Sequence, residues 1–168
     1  MESFDKYRTT GYRLNQVGRV QRNVSSIIIH TAAHPSWCAE QIREYHVHDR
    51  GYRDIGYHWI VERSGIVVQG RPEWQVGAHA AGWNEGTVGV CYSGHGDTQL
   101  WTPDQSVAGV ALVAELCLRY NVAVQNVYGH REVNGGRKTC PGILINMDTV
   151  RSLVADRIRL HHEESRVP

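Results

Sequence analysis

The sequence predicts an α/β fold in which a mixed central β-sheet is flanked by about three α-helices. Short apolar runs rich in β-branched residues, typical of buried strands, alternate with longer segments whose apolar residues recur at helical spacing. The 168 residues fit one compact domain, and 41% hydrophobic with 21% charged residues is typical of a globular protein. Disordered, collagen-like and coiled-coil classes are therefore excluded.

The first predicted elements are a strand and a helix. Residues 25–30 form a β-branched run that ends at a histidine, which predicts a buried central strand. Residues 35–48 follow, with Ile42 and Tyr45 spaced for one helical face. Gly51 is placed to end that helix.

Four further strands are expected. Residues 56–62 and 66–69 are β-rich, and the Arg-Ser-Gly sequence of residues 63–65 between them is a hairpin signal. Residues 87–92 predict another buried strand, and residues 126–128 predict a short one.

Two long helices are predicted in the second half of the chain. Thr102 and Gln105 have the spacing of a capping box, with Pro103 at the first helical position. Asp148 is predicted to cap the last helix. The apolar stripe of the first helix comprises Val107, Val110, Ala111, Ala114 and Leu118, and the inner face of the last comprises Val150, Leu153, Val154 and Ile158.

We expect an N-terminal arm over residues 1–24, a folded domain over 25–160 and a C-terminal tail over 161–168. A net charge of +1 argues against nucleic acid or an anionic membrane as the main partner. Neither a secretory signal nor a membrane span is expected. The four cysteines lack paired close spacing, which indicates a reducing compartment rather than a disulfide scaffold.

Most of the ten histidines are expected to be structural, because an isolated histidine is more often a hydrogen-bonded residue than a ligand. Structural or solvent-exposed positions are predicted for His34, His46, His48, His58, His161 and His162, and buried inert thiols for Cys91 and Cys117. His30 and His130 instead follow predicted strands, where rigid scaffolds display chemistry.

His30, His130 and Cys140 form a candidate metal site. Two imidazoles and one thiolate are three protein ligands, the number that leaves tetrahedral zinc an open position for water. Such a site hydrolyses, whereas a fourth protein ligand would indicate a structural zinc. His34 and Cys38 are candidates for that fourth ligand, and the spacing alone leaves both open.

Six short motifs strengthen the interpretation. They are Ile29-His30-Thr31, Gly56-Tyr57-His58-Trp59-Ile60, Val76-Gly77-Ala78-His79-Ala80, Gly89-Val90-Cys91, Gly129-His130-Arg131-Glu132 and Lys138-Thr139-Cys140-Pro141-Gly142. In this order they resemble the type 2 N-acetylmuramoyl-L-alanine amidases, a family that includes T7-type phage lysozymes and peptidoglycan recognition proteins. The resemblance extends over nearly the whole predicted domain and implies the same mixed-sheet fold.

The resemblance implies zinc bound by His30, His130 and Cys140, with Tyr57 and Lys138 facing the metal-bound water and the scissile amide. The chemistry is consistent, since the Lys138 cation can oppose a developing oxyanion and the Tyr57 hydroxyl can orient water or pass a proton. From the residues alone, Tyr57 can equally be a core residue and Lys138 a solvated loop charge.

Substrate contacts are also implied. In the family pattern His79 lies near the substrate groove, so it is interpreted as a binding residue rather than a ligand. Trp83 and Asn84 follow in a glycine-bearing loop, where a sugar-stacking wall and an ordinary loop anchor are alternatives.

Three positions distinguish the chain within the family. Animal recognition proteins usually carry a cysteine pair six positions apart, and here Glu44 stands six positions after Cys38, so that disulfide is absent. Lys138 resembles the T7-type enzymes, where animal proteins commonly carry threonine. Cys140 stands where cytosolic recycling enzymes use aspartate. A phage or prophage endolysin is the expected setting.

The expected activity is zinc-dependent hydrolysis of the amide between the lactyl group of N-acetylmuramic acid and L-alanine in peptidoglycan. The enzyme would be cytoplasmic when made and would reach the wall through a holin or lysis. The alternative is a peptidoglycan-binding module, or a regulator of phage RNA polymerase as in T7-type lysozymes. A basic arm is available for such a partner, comprising Lys6, Arg8, Arg13, Arg19 and Arg22.

Overall fold

The computed structural model describes residues 8–9, 21 and 23–166. Within them one mixed sheet has the spatial order β1-β4-β3-β5-β2-β6. Strands β3 and β4 are antiparallel, and the other neighbouring pairs are parallel. The strands are β1 Arg8–Thr9, β2 Ser26–Thr31, β3 Trp59–Val61, β4 Val67–Gln69, β5 Thr87–Tyr92 and β6 Val127–Gly129.

Helices cover both faces of the sheet. Helix α1 spans Ala39–Glu44 and continues as a π-helical turn, Tyr45–Asp49. Helix α2 spans Pro103–Tyr120, a 3-10 turn spans Val124–Asn126, α3 spans His130–Val133 and α4 spans Met147–Glu164. The predicted α/β class with a mixed sheet and flanking helices is confirmed.

Alternation along the strands separates two cores. Ile27 and Ile29 of β2 pack with α2 and α4 in the larger core, whereas Cys91 and Ile60 pack with α1 on the opposite face. Because side chains of a strand alternate between the faces, His30 lies on the α1 face, next to Cys91 in the β2–β5 register. The smaller core therefore supports the histidine that ends the central strand.

The predicted cap of α2 is confirmed in one half only. Thr102 Oγ1 accepts a hydrogen bond from the Gln105 amide at 3.1 Å. The Gln105 side chain does not return to the Thr102 amide, as a capping box requires. It donates instead to the carbonyls of Val61 and Ser93, at 2.9 and 2.8 Å, and so joins the helix to the sheet.

The predicted apolar stripe of α2 is confirmed only in part. Ala114 is buried and Val110 packs against the larger core, but Val107 is 73% exposed and Leu118 is 37% exposed. The helix is apolar on several sides, so the sequence pattern alone did not select the buried face. That face is determined by the close approach of the Tyr92 ring to Gly109. A Cβ on Gly109 would lie 2.4 Å from Tyr92 Cε1. The buried positions are Gln105, Gly109, Leu112, Val113, Ala114, Leu116 and Cys117.

Helix α4 begins earlier than predicted, and helix α1 begins later. Asn146, not Asp148, caps α4, because its Oδ1 accepts the amides of residues 148 and 149. Val150 and Val154 are buried as predicted, but Leu153 is 42% exposed. Helix α1 starts at residue 39 rather than 35, and Gly51, with φ of 67°, follows its π-helical turn as expected.

His46 is buried, which corrects its predicted exposure on a helix face. Its Nδ1 accepts the Gly56 amide at 3.0 Å. The π-helical turn shifts the side chains relative to a regular α-helix, so the sequence periodicity did not place this ring. His48 is exposed, as predicted.

Most of the predicted N-terminal arm, including its basic residues except the Arg8 backbone, lies outside the described residues. Within the arm, Gln21 is buried and its side chain donates to the carbonyls of Glu73 and Thr87. Helix α4 continues four residues into the predicted tail. None of the helices within residues 23–166 combines the length and apolar character needed to cross a bilayer.

We expect acid to destabilise the protein through His58. The ring is fully buried, Gly89 N–H donates to its Nδ1 at 2.9 Å and its Nε2 donates to Gln75 O at 2.8 Å. Burial lowers the pKa of His58 to about 4. Stability is therefore complete above the unfolded pKa of about 6.5 and is lost as the pH falls toward about 4.

The measurement is denaturant unfolding of chelator-treated protein at about pH 7.5 and about pH 5.5. Over this interval His58 contributes about 1.4 kcal/mol to the loss. His58→Gln removes that contribution, so its loss is smaller than that of the wild type, while His48→Gln at an exposed site matches the wild type. Equal losses in all three proteins would contradict the assignment.

Candidate metal site

Parallel strands bring the predicted ligands together. His30 is near the carboxyl end of β2, and His130 directly follows β6, which pairs with β2 in the register Ile29 with Gly129. Cys140 reaches the same edge from the loop after α3. The candidate ligand atoms of the three residues all lie within 4.8 Å of one another, so the group can hold a metal ion.

The loop that carries Cys140 is fixed by backbone hydrogen bonds. Thr31 N–H donates to Cys140 Sγ at 3.4 Å, and Arg131 N–H donates to Cys140 O at 2.7 Å. The Arg131 guanidinium also donates to Gly142 O and Ile145 O, both at 2.6 Å. The thiol is therefore held against the end of β2 by contacts from both sides of the loop.

A second anchor comes from the segment after β5. Asp97 accepts the Thr139 hydroxyl and the Ile143 amide, each at 2.8 Å. Gly96 and Gly142 meet backbone to backbone, since a Cβ on Gly142 would lie 2.3 Å from the Gly96 Cα. Glycine is required at this contact because any side chain would push the Cys140 loop away.

Electrostatics favour the ligand form of the imidazoles. Burial and the neighbouring His79 and His130 hold the pKa of His30 well below its usual range, and burial lowers the pKa of His130. Both rings are thus neutral at pH 7, with a lone pair for a metal. Burial raises the pKa of Cys140 to about 11, so a bound cation is what would displace the thiol proton.

Neither candidate for a fourth ligand belongs to this group. His34 stacks on Trp37 with ring centroids 4.3 Å apart, and its Nδ1 accepts the Ser36 amide. Cys38 lies in another cluster with Glu40 and Glu62. Zinc held by these three residues would therefore keep one tetrahedral position open, the arrangement typical of catalytic rather than structural zinc.

A cleft of about 700 Å³ opens above the ligands and contains Tyr57 and Lys138. Tyr57 lies in the loop before β3, not within a strand as predicted, and its ring centroid is 5.0 Å from that of His30. Burial raises the pKa of the Tyr57 hydroxyl, so it stays protonated. Lys138 is exposed, and its charge helps to lower the pKa of His30 and His130.

The profile of the N-acetylmuramoyl-L-alanine amidase family (Amidase_2) matches residues 20–143, which is most of the chain and includes all three candidate ligands. The chain belongs to this amidase family. The endolysin of Escherichia phage T7 is 35% identical over 129 residues, which cover 72% of this chain and 82% of the relative. Peptidoglycan-recognition protein SC2 of Drosophila melanogaster is 32% identical over 127 residues, 70% of this chain and 67% of the relative.

Solved structures agree with the family assignment. The N-acetylmuramoyl-L-alanine amidase LysC from Clostridium intestinale has a TM-score of 0.81 at 27% identity, over 89% of this chain and 97% of that chain. The Ph2119 endolysin of a Thermus scotoductus bacteriophage has a TM-score of 0.75 at 26% identity, over 85% of this chain and 93% of that chain. The amidase fold therefore includes nearly all the described residues.

All four cysteines of this amidase-family chain are free thiols.

The predicted substrate-binding residues lie close to the candidate metal site. Trp83 and Asn84 line a neighbouring pocket of about 730 Å³, which shares His79 and Lys138 with the cleft. Asn84 Oδ1 accepts the amides of His79 and Ala80, both at 2.8 Å, and Trp83 makes an edge contact with Tyr128. Their role toward substrate stays a prediction.

Sequence reasoning missed several residues that build the site. Thr31 and Asp97 hold the Cys140 loop, and His46 lines the cleft 5.2 Å from the Tyr57 ring. Thr31 belongs to the motif Ile29-His30-Thr31, and its position next to a candidate ligand is the signal that could have identified it. Asp97 and His46 contact residues that are distant in sequence, so no local sequence pattern predicts their positions at the site.

Replacing Cys140 by Ser should remove most of the bound metal, because a neutral hydroxyl is a much poorer ligand than a thiolate. Elemental analysis of purified protein measures the metal-to-chain ratio, which we expect to be about one in the wild type. Cys38→Ser is the matched control and should keep the wild-type ratio. Full metal content in Cys140→Ser, or equal loss in Cys38→Ser, would show that the site is misassigned.

Proposed function

We propose that the chain is a zinc-dependent amidase that hydrolyses the bond between the lactyl group of N-acetylmuramic acid and L-alanine of peptidoglycan. The observation that carries this proposal is the open set of His30, His130 and Cys140 at the base of a cleft that also holds Tyr57 and Lys138. Two nitrogen donors and one sulfur donor suit zinc, whereas magnesium and calcium prefer oxygen donors.

Zinc, when bound, supplies a Lewis acid that polarises the amide carbonyl and activates water. The protein must then stabilise negative charge on the carbonyl oxygen and pass protons. Lys138 is exposed at the cleft and keeps its side chain free to approach that oxygen. A preorganised cation at a developing oxyanion accelerates the reaction by about 10²- to 10³-fold in comparable donor positions.

Tyr57 is suited to orient water. Its hydroxyl is protonated because burial raises its pKa, and a neutral phenol can both donate and accept a hydrogen bond. The ring is fixed between His30 and His46, at centroid distances of 5.0 and 5.2 Å. This packing removes the entropy cost of positioning the hydroxyl during the reaction.

Charge around the cleft supports a peptidoglycan substrate. Arg50 and Arg137 line it besides the lysine, and Asp97 is the acidic residue among the lining side chains. Side-chain interactions with Tyr52 and Tyr45 raise the pKa of the Arg50 guanidinium. Stem peptides carry free carboxylates, so a cationic cleft is complementary to them.

A phage or prophage endolysin is the proposed setting, supported by 35% identity to the T7 endolysin. In that setting the enzyme is made in the cytoplasm and reaches the wall through a holin or lysis. The alternative is a module that binds peptidoglycan with little catalysis, supported by the likeness to a peptidoglycan-recognition protein. The complete ligand set favours catalysis. A polymerase partner for the basic arm remains a proposal about residues that mostly lie outside the described chain.

Lys138→Ala should lower kcat by about 10²- to 10³-fold with little change in metal content, because the cation acts on the transition state. Steady-state kinetics on purified muropeptide and elemental analysis of the same sample test this. Lys138→Arg keeps the charge and should retain more activity than the alanine variant. Loss of metal and of folded structure together in Lys138→Ala would instead indicate a structural role of the loop.

Removing the metal with a chelator should abolish release of L-alanine amino termini from purified sacculi, and adding zinc should restore it. Binding to insoluble sacculi should persist without metal, since contacts with the cleft come from protein side chains. Pull-down and amine release are measured on one sample, and mass spectrometry identifies the cleaved bond. Intact binding without amine release in any metal state would support the binding-module alternative.

A further inference from the structure

The candidate ligand His30 uses its two ring nitrogens differently. Its Nδ1 faces the ligand group, 3.7 Å from Cys140 Sγ. Its Nε2 faces away, 3.0 Å from Nδ1 of His79. Only one of these two facing nitrogens can carry the proton of a neutral pair, so the direction of this hydrogen bond determines which nitrogen of His30 keeps a lone pair.

The direction of the hydrogen bond between His30 and His79 is fixed by the next contact in the series, between His79 and Thr87. His79 Nε2 lies 3.4 Å from Thr87 Oγ1, and the Thr87 hydroxyl lies 2.5 Å from Trp83 O and 3.3 Å from Asn84 O. Both carbonyls can only accept, so the single hydroxyl proton of Thr87 points to one of them. The hydroxyl oxygen must then accept from His79 Nε2–H.

The remaining protons follow from that step. With its proton on Nε2, the neutral His79 ring has a bare Nδ1, which accepts from His30 Nε2–H. His30 therefore has a bare Nδ1, and this is the nitrogen that faces Cys140. The order of donors runs from His30 through His79 and Thr87 to a backbone carbonyl, and the reverse order would leave two acceptors facing each other at the Thr87 hydroxyl.

The His79 ring is held in this orientation by glycines. A Cβ on Gly77 would lie 2.4 Å from His79 Cδ2, and a Cβ on Gly89 would lie 2.6 Å from the same atom. The backbone on either side of the ring thus leaves no room for a side chain. Asn84 Oδ1 fixes the His79 amide, which completes the clamp.

We infer that His79 is a positioning residue, which with Thr87 fixes the Nε2–H tautomer of His30 and so presents Nδ1 to the metal. The assignment of a metal rests on the proposed function, but the tautomer does not. Metal-bound histidines usually donate their second N–H to a carboxylate, a carbonyl or water. A neutral imidazole acceptor orients the ligand without adding negative charge to the site.

The decisive measurement is nitrogen-15 NMR of the imidazole rings in the full chain, with zinc and after chelation, at neutral pH. We expect the Nε2–H tautomer at both His30 and His79 in the metal-free protein. An Nδ1–H tautomer at His30, or a doubly protonated His79, would overturn the inference. This readout decides the inference even if the protein binds no zinc, an outcome that would defeat the proposed function instead.

Matched variants separate positioning from substrate contact. Thr87 is buried. Thr87→Val replaces the hydroxyl by a methyl group of similar size, whereas Thr87→Ser retains the hydroxyl. We expect Thr87→Val to mix the His30 tautomers and to weaken zinc binding by about 10- to 100-fold in a chelator competition, the usual range for residues behind a metal ligand. Thr87→Ser should remain close to the wild type in both measurements.

His79 itself is tested by a second pair. Asn places an acceptor near the position of Nδ1, so His79→Asn should retain more zinc affinity than His79→Phe. Unchanged tautomer and zinc affinity in His79→Phe and Thr87→Val, with a raised KM for muropeptide in His79→Phe, would overturn the inference and support the substrate-binding interpretation of His79.

Discussion

Strand β2 is hydrogen-bonded along both edges, to β5 on one side and to β6 on the other, and both neighbours run parallel to it. Parallel neighbours place their carboxyl ends at the same edge of a sheet, so residues far apart in sequence emerge side by side. His30 and Thr31 leave from β2, and His130 leaves from β6. The candidate site, the cleft and the anchored Cys140 loop all depend on the parallel pairing of β2 with its two neighbours.

The two faces of the sheet bury different kinds of side chain. One face is a conventional apolar core beneath α2 and α4. The other buries imidazoles, and burial lowers the pKa of His30, His46, His58 and His79. Neutral rings can be buried because their nitrogens meet backbone groups at His58, another ring between His30 and His79, and the Thr87 hydroxyl beyond His79, so a polar interior forms without formal charge.

Local signals in the sequence predicted most of the strands, and the three candidate ligands that they indicated lie together in the structure. The Ile27 to Ile29 run marked β2, and Thr102 marked the start of α2. The face of α2 was not predictable, because an apolar helix offers several faces and the fit of Tyr92 against Gly109 decides between them. The burial of His46 and the anchoring by Asp97 depend on a π-helical turn and on distant loops, and neither is encoded in local periodicity.

The candidate ligands His30 and Cys140 are separated by 110 positions along the chain. Closing so long a loop has a large entropic cost before any contact forms, and such non-local contacts form late in folding. A nascent chain therefore offers no high-affinity pocket until β6 and the following loop have joined the sheet. A metal ion bound at this site would then be captured after folding rather than nucleate it, and it would stabilise the whole domain because the site exists only in the folded chain.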